Sequence, residues 1–145
     1  MNIKYDKMRY QKNKLSYNLA LIALVFNTLY IFKVLSIVKP DFFIGLKILA
    51  NIGLMLSVFL AMEKVKAYSK NWSIFLIVIG VLNFLRTLYA PLLIYQIRQA
   101  FERDVIIALM YLGFISLFFI LAGTVGLSKT ISLTKYLESK EVSHG

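Results

Sequence analysis

Three cations, Lys33, Lys47 and Arg86, stand inside stretches of chain that are otherwise apolar. A basic side chain near the centre of a membrane helix costs ~2.5–3.5 kcal/mol. Such a residue therefore faces a partner, a cavity or a lipid headgroup rather than acyl chains. The chemistry that this set offers is anion recognition, with the guanidinium of Arg86 able to hold a phosphate or carboxylate in bidentate fashion. A structural reading stands beside it: Lys33 and Lys47 snorkel, and Arg86 is satisfied by asparagines, tyrosines or the loop carboxylates Asp41, Glu102 and Asp104. Close to the cations lie three amides, Asn27, Asn51 and Asn83. With Tyr30 and Thr87 they are expected to form a polar seam between the first three helices, each interhelical hydrogen bond contributing ~0.6–2 kcal/mol.

Other chemistries have no residues to work with. No Asp or Glu lies deep in an apolar run, which removes the membrane carboxylate that proton-coupled export of small cations requires. The one histidine, His144, is next to last, and cysteine is absent. There is no metal-binding His/Glu motif, no Ser/His/Asp constellation and no glycine-rich phosphate loop. No catalytic residue, metal or cofactor is expected.

The elements that must position these residues are four apolar runs, at 15–38, 42–62, 72–97 and 105–127, each passing the ~18–20 residues needed to span a bilayer. Hydrophobic residues make up 59% of the 145, which leaves room for one integral membrane domain and no soluble catalytic one. The expected fold is all-α: a four-helix transmembrane bundle with short loops, a basic amino-terminal segment at 1–14 and a short amphipathic tail helix within 129–145.

Charge sets the expected orientation. Lys4, Lys7, Arg9, Lys12 and Lys14 precede the first run; Lys64, Lys66 and Lys70 lie between the second and third; Lys129, Lys135 and Lys140 follow the fourth. The two remaining loops are poorer in net positive charge. The positive-inside rule then places both termini in the cytoplasm and the three intramembrane cations in the outer half. The formal charge of +10 reads as orientation and attraction to anionic lipid, not as nucleic-acid binding. The five amino-terminal cations, interleaved with Tyr5, Tyr10 and Tyr17, are candidate headgroup contacts.

Where helices meet in lipid, small residues let them approach. Gly53, Ser57 and Ala61 make such a stripe on the second run, and Ala122 and Gly126 a shorter one on the fourth. Pro91 is expected to bend the third. At a shift of fifty-nine positions Thr28-Leu29-Tyr30 aligns with Thr87-Leu88-Tyr89 and Ser57 with Ser116, a weak signal of two parallel helical hairpins.

The segment Tyr5-Asp6-Lys7-Met8-Arg9-Tyr10-Gln11-Lys12-Asn13-Lys14-Leu15-Ser16-Tyr17 resembles the amino-terminal pattern of small four-span bacterial membrane proteins of uncharacterised function. The resemblance implies a bacterial cytoplasmic membrane and nothing about activity or ligand. The leading functional expectation is a non-enzymatic accessory or interaction subunit of a larger membrane complex, with a transporter as the complex, or else a homo-oligomer. The alternative is a small oligomeric transporter or flippase for an anionic or lipid-linked substrate, using Lys33, Lys47 and Arg86. A third is lipid sensing through the amino-terminal cations.

Overall fold

The computed structural model of the chain describes residues 12–37, 41–98 and 102–144. They form four helices: α1 (Lys14–Ile37), α2 (Phe42–Lys66), α3 (Lys70–Arg98) and α4 (Glu102–His144). Each contains a stretch long and apolar enough to cross a membrane. A helix rises ~1.5 Å per residue, so even the 24 residues of α1 cover ~36 Å, enough for a hydrocarbon layer ~30 Å thick. The protein is a multi-pass helical membrane protein.

Local chemistry marks where the helices begin and end. Asn13 caps α1, its side-chain oxygen accepting from Ser16 N at 3.4 Å. Asp41 caps α2 from an extended backbone, and its carboxylate accepts from Phe42 N at 2.6 Å. A negative charge there also complements the positive end of the helix. At the other end of α2 the cations Lys64 and Lys66 lie in the last turn, against the negative end of its dipole. The chain then reverses through Tyr68, whose φ of 59° lies in the left-handed region. Glycine would take that conformation without steric cost. The amides of Ala67, Tyr68 and Ser69 all return to carbonyls of Lys64 and Val65, which closes the turn. Partial burial there pushes the pKa of the Tyr68 hydroxyl up.

Helix α4 is the central element. It packs extensively along α3 and α1, while α2 touches its neighbours far less. Backbone meets backbone between α3 and α4. A Cβ added at Gly80 would lie 2.9 Å from Ile120 N, and one at Gly123 would lie 2.7 Å from Ser73 O. Ser116 Oγ crosses the same seam to donate to Gly80 O at 2.8 Å. All three other helices converge on Gly126: a Cβ there would meet Ser73 Oγ at 2.7 Å, Val65 Cγ1 at 2.8 Å and Ser16 Oγ at 3.0 Å. Ser16 Oγ itself donates to Ala122 O. Around these contacts Met62, Leu76, Leu112, Ile115 and Phe119 are fully buried.

The start of α1 meets the end of α2 and Lys129 of α4 at one end of the bundle, here the terminal end, and the last turns of α1 meet the first turn of α4 at the other, the far end. The terminal end is tied across three helices: Asn13 N donates to Lys66 O at 2.9 Å, and Lys129 Nζ donates to Asn13 Oδ1 at 3.1 Å. Toward the far end the α1–α4 seam is aromatic, with Phe26 stacked on Phe114 and Phe118 at 5.2 and 5.9 Å.

The residues differ from the sequence expectation at the end of the fourth helix. The tail at 129–145 was expected as a separate short helix, but α4 runs unbroken to His144. Nothing between Leu127 and Lys129 stops it. Gly126 stays helical, and Thr130 Oγ1 donates back to its carbonyl at 2.8 Å. At ~1.5 Å per residue, the part after 127 projects ~25 Å beyond the membrane-spanning part. The third helix likewise continues through Pro91 to Arg98, and the side chains of 90–98 lie outside the described residues.

Candidate functional site

Helix α2 leans on the bundle at one end only. Its buried residues are Val58, Ala61, Met62 and Val65, all toward the terminal end, and none of residues 42–57 is buried. Phe42 and Phe43 at its start are 78% and 67% exposed. The flank between the far halves of α2 and α3 is therefore the loosely packed side of the bundle.

Asn27 Nδ2 donates to Asn51 Oδ1 at 3.1 Å, which joins α1 to α2. Asn83 does not join them. It is buried, yet its amide donates to Ile79 O of its own helix at 3.0 Å, and Thr87 Oγ1 in turn donates to Asn83 O. The reason is topological: α1 and α3 are diagonal across the bundle and hardly touch. The seam is thus a pair plus a self-satisfied amide.

The cations also divide. Lys33 Nζ lies 2.6 Å from Asp104 Oδ1, so α1 and α4 are clipped together at the far end. Arg86 sits instead with its guanidinium carbon 4.9 Å from the centre of the Tyr30 ring. Tyr30 is only 5% exposed, so this cation–π contact forms against a buried ring. Arg86 has no hydrogen bond or ion pair with any described residue, and neither has Lys47, which is exposed on α2.

The small-residue stripes divide in the same manner. Ala122, Gly126 and Ala61 are buried among neighbouring helices. Gly53 and Ser57 are exposed; a Cβ at Gly53 would meet nothing within 4 Å, and Ser57 Oγ turns back to Gly53 O at 3.0 Å. Of the basic amino-terminal residues, Lys12 and Lys14 are exposed at the terminal end, and Lys4, Lys7 and Arg9 lie outside the described residues. Among the described residues no three His, Asp or Glu side chains come together as a metal would need.

Sequence reasoning missed the serines that carry the tightest contacts. Ser73, Gly80 and Thr87 on α3, and Ser116, Gly123 and Thr130 on α4, each recur at intervals of seven. That heptad spacing is the signature of a continuous antiparallel seam, and it was legible beside the four-residue spacing. The Asn13 cap and its bond to Lys129 had no such signal, because they depend on which helix ends meet.

No protein-family model, curated protein or solved structure matches the chain. What the described residues define is a class, a multi-pass membrane protein of four helices that carries unpaired cations on its loosely packed flank.

Proposed function

We propose that the protein is a non-enzymatic subunit that works by association inside the bilayer, docking through α2 against a transmembrane helix of a larger membrane complex, with a transporter as the class of complex. The observation that carries this is the state of α2. Its first sixteen residues contain none that is buried, yet they include the small residues Gly45, Ala50, Gly53 and Ser57, all exposed. Leucine and phenylalanine facing lipid need no explanation. An open stripe of small residues leaves room for a second helix at close range.

The membrane is a bacterial cytoplasmic one in this reading, and both termini are cytoplasmic. Lys12, Lys14, Lys64, Lys66, Lys70 and Lys129 all belong to the terminal end, where they would meet anionic headgroups. The resemblance of the segment at 5–17 to small four-span bacterial proteins agrees with that placement.

The chain's lack of cysteine makes the test direct. Gly53→Cys and Ser57→Cys, alkylated with a benzophenone maleimide and irradiated in native membranes, are expected to trap one stoichiometric membrane partner that also co-purifies with the unmodified protein in mild detergent. A cross-link of the chain to itself would replace the subunit reading with a homo-oligomer. Absence of any cross-link, with the protein recovered alone, would end both.

A second reading, transport of an anionic or lipid-linked substrate, is favoured by a different observation: Arg86 and Lys47, on the loosely packed flank, make no ion pair with any described residue.

A further inference from the structure

We infer that the loosely packed flank between α2 and α3 is a binding site for the phosphate group of an anionic lipid, which enters from the bilayer and is held by Arg86, Lys47 and Asn51. The inference rests on the second reading for its location but not for movement of the lipid: a protein that binds without transporting keeps the site.

Helix register brings the three residues to neighbouring levels. Across α1 and α2, Asn27 faces Asn51. Across α1 and α4, Phe26 faces Phe114. Across α3 and α4, Gly80 faces Ser116 and Ile120, so Arg86, six residues farther out, is level with the α4 residues just beyond Phe114. Arg86, Asn27 and Asn51 therefore lie within about one helical turn, ~5 Å along the bundle axis, and Lys47 is about one turn nearer the far end.

The donors at this level are unspent. Arg86 offers five N–H groups to the space beyond the Tyr30 face and bonds to no described residue. Asn51 uses its oxygen to accept from Asn27, which leaves its amide NH2 as a donor on a half-buried side chain. Lys47 adds an ammonium. A planar fork, an amide and a mobile point charge are a phosphate-binding set. Of the carboxylates at the far end, Asp104 is taken by Lys33 and Asp41 accepts from the Phe42 amide as the cap of α2.

The direction of access selects a lipid. The Lys33–Asp104 pair bridges the α1–α4 side of the far end, whereas the α2–α3 side has no such tie among the described residues. Leu82 and Tyr89, both exposed, share the face of α3 that carries Arg86 and flank that side. A headgroup seated on Arg86 would lay its acyl chains along those residues.

The full-length protein in detergent micelles, titrated calorimetrically with a short-chain phosphatidic acid, is expected to show one saturable site. Phosphatidylcholine of the same chain length, with its choline-neutralised phosphate, is expected to bind at least about ten-fold more weakly. Arg86→Gln should weaken the site by about ten-fold or more and Lys47→Gln by about three-fold, as loss of charge-assisted bonds predicts. Lys135→Gln, on the part of α4 that follows 127, should leave it unchanged. Equal affinity for inorganic phosphate would overturn the lipid as ligand, and wild-type affinity in a helical Arg86→Gln protein would overturn the site. Should Arg86→Gln fail to fold, a photoreactive phosphatidic acid on the unmodified chain decides. Label on 42–57 and 82–89 supports the site; label confined to the lysines of the terminal end overturns it.

Discussion

In the α3–α4 hairpin a Cβ added at Gly80 would lie 2.9 Å from a backbone nitrogen, whereas in the α1–α2 hairpin one added at Gly53 would meet nothing within 4 Å. The two hairpins are built from similar residues, and the positions that align them at a shift of fifty-nine do different work. Ser116 Oγ reaches across to Gly80 O, but Ser57 Oγ returns to Gly53 O of its own helix. Tyr30 is buried beneath Arg86, while Tyr89 is 62% exposed. The back-bonding threonines do match, Thr28 to Leu24 O and Thr87 to Asn83 O, because that bond lies within a helix. A small residue lets helices approach, but what occupies the space depends on whether a neighbour's register brings a backbone opposite.

The contrast can be broken most severely at the tight seam. Gly123→Val places atoms against Ser73 O and Ile77 N, where no flexible side-chain end can yield. The expected loss is about 3 kcal/mol, at the upper end of overpacking effects, seen as a large fall in the unfolding midpoint in detergent. Gly53→Val, on the open hairpin, should change that midpoint by no more than about 0.5 kcal/mol. If the two substitutions cost the same, the seam is not the stabilising half of the molecule.

A smaller effect is expected at the far-end clip. Both members of the Lys33–Asp104 pair are about a quarter to a third exposed, which weakens it relative to a buried pair. A double-mutant cycle with Lys33→Met and Asp104→Asn should give a coupling of about 1 kcal/mol. No coupling would mean that the α1–α4 side is held by the Phe26 stack alone.

The smallest effect sharpens the account of α2. The Asn27–Asn51 bond is the polar tie nearest the part of α2 that packs loosely. Asn27→Leu with Asn51→Leu should show a coupling near 0.6 kcal/mol, the average for such bonds in membranes. Spin labels on the far halves of α2 and α3 should report a wider separation in Asn51→Leu. An unchanged separation would show that packing at Val58 to Val65 sets the lean of α2 unaided.

Much of the fold was legible in the residues. Four apolar runs predicted four helices to within a few residues at most ends, since a segment that must satisfy its backbone in lipid has few other choices. The end of α4 was not legible, because an exposed polar stretch continues a helix or leaves it according to weak local terms, and Lys129 finds its partner Asn13 more than a hundred positions away. Of the candidate site, Lys47 and Arg86 stood out by type alone, as charges in apolar runs always do.

The sequence by itself determined four runs long and apolar enough to cross a membrane, and which residues would be costly there. Tertiary structure alone decided that Lys33 is neutralised by Asp104 while Arg86 rests on Tyr30, that Asn51 rather than Asn83 answers Asn27, and that Gly126 is the junction of the bundle. The reason is physical. Hydropathy and cost of burial belong to single residues and can be summed along a chain. A pairing depends on the register and lean of two helices, and these are set by contacts spread over their whole length.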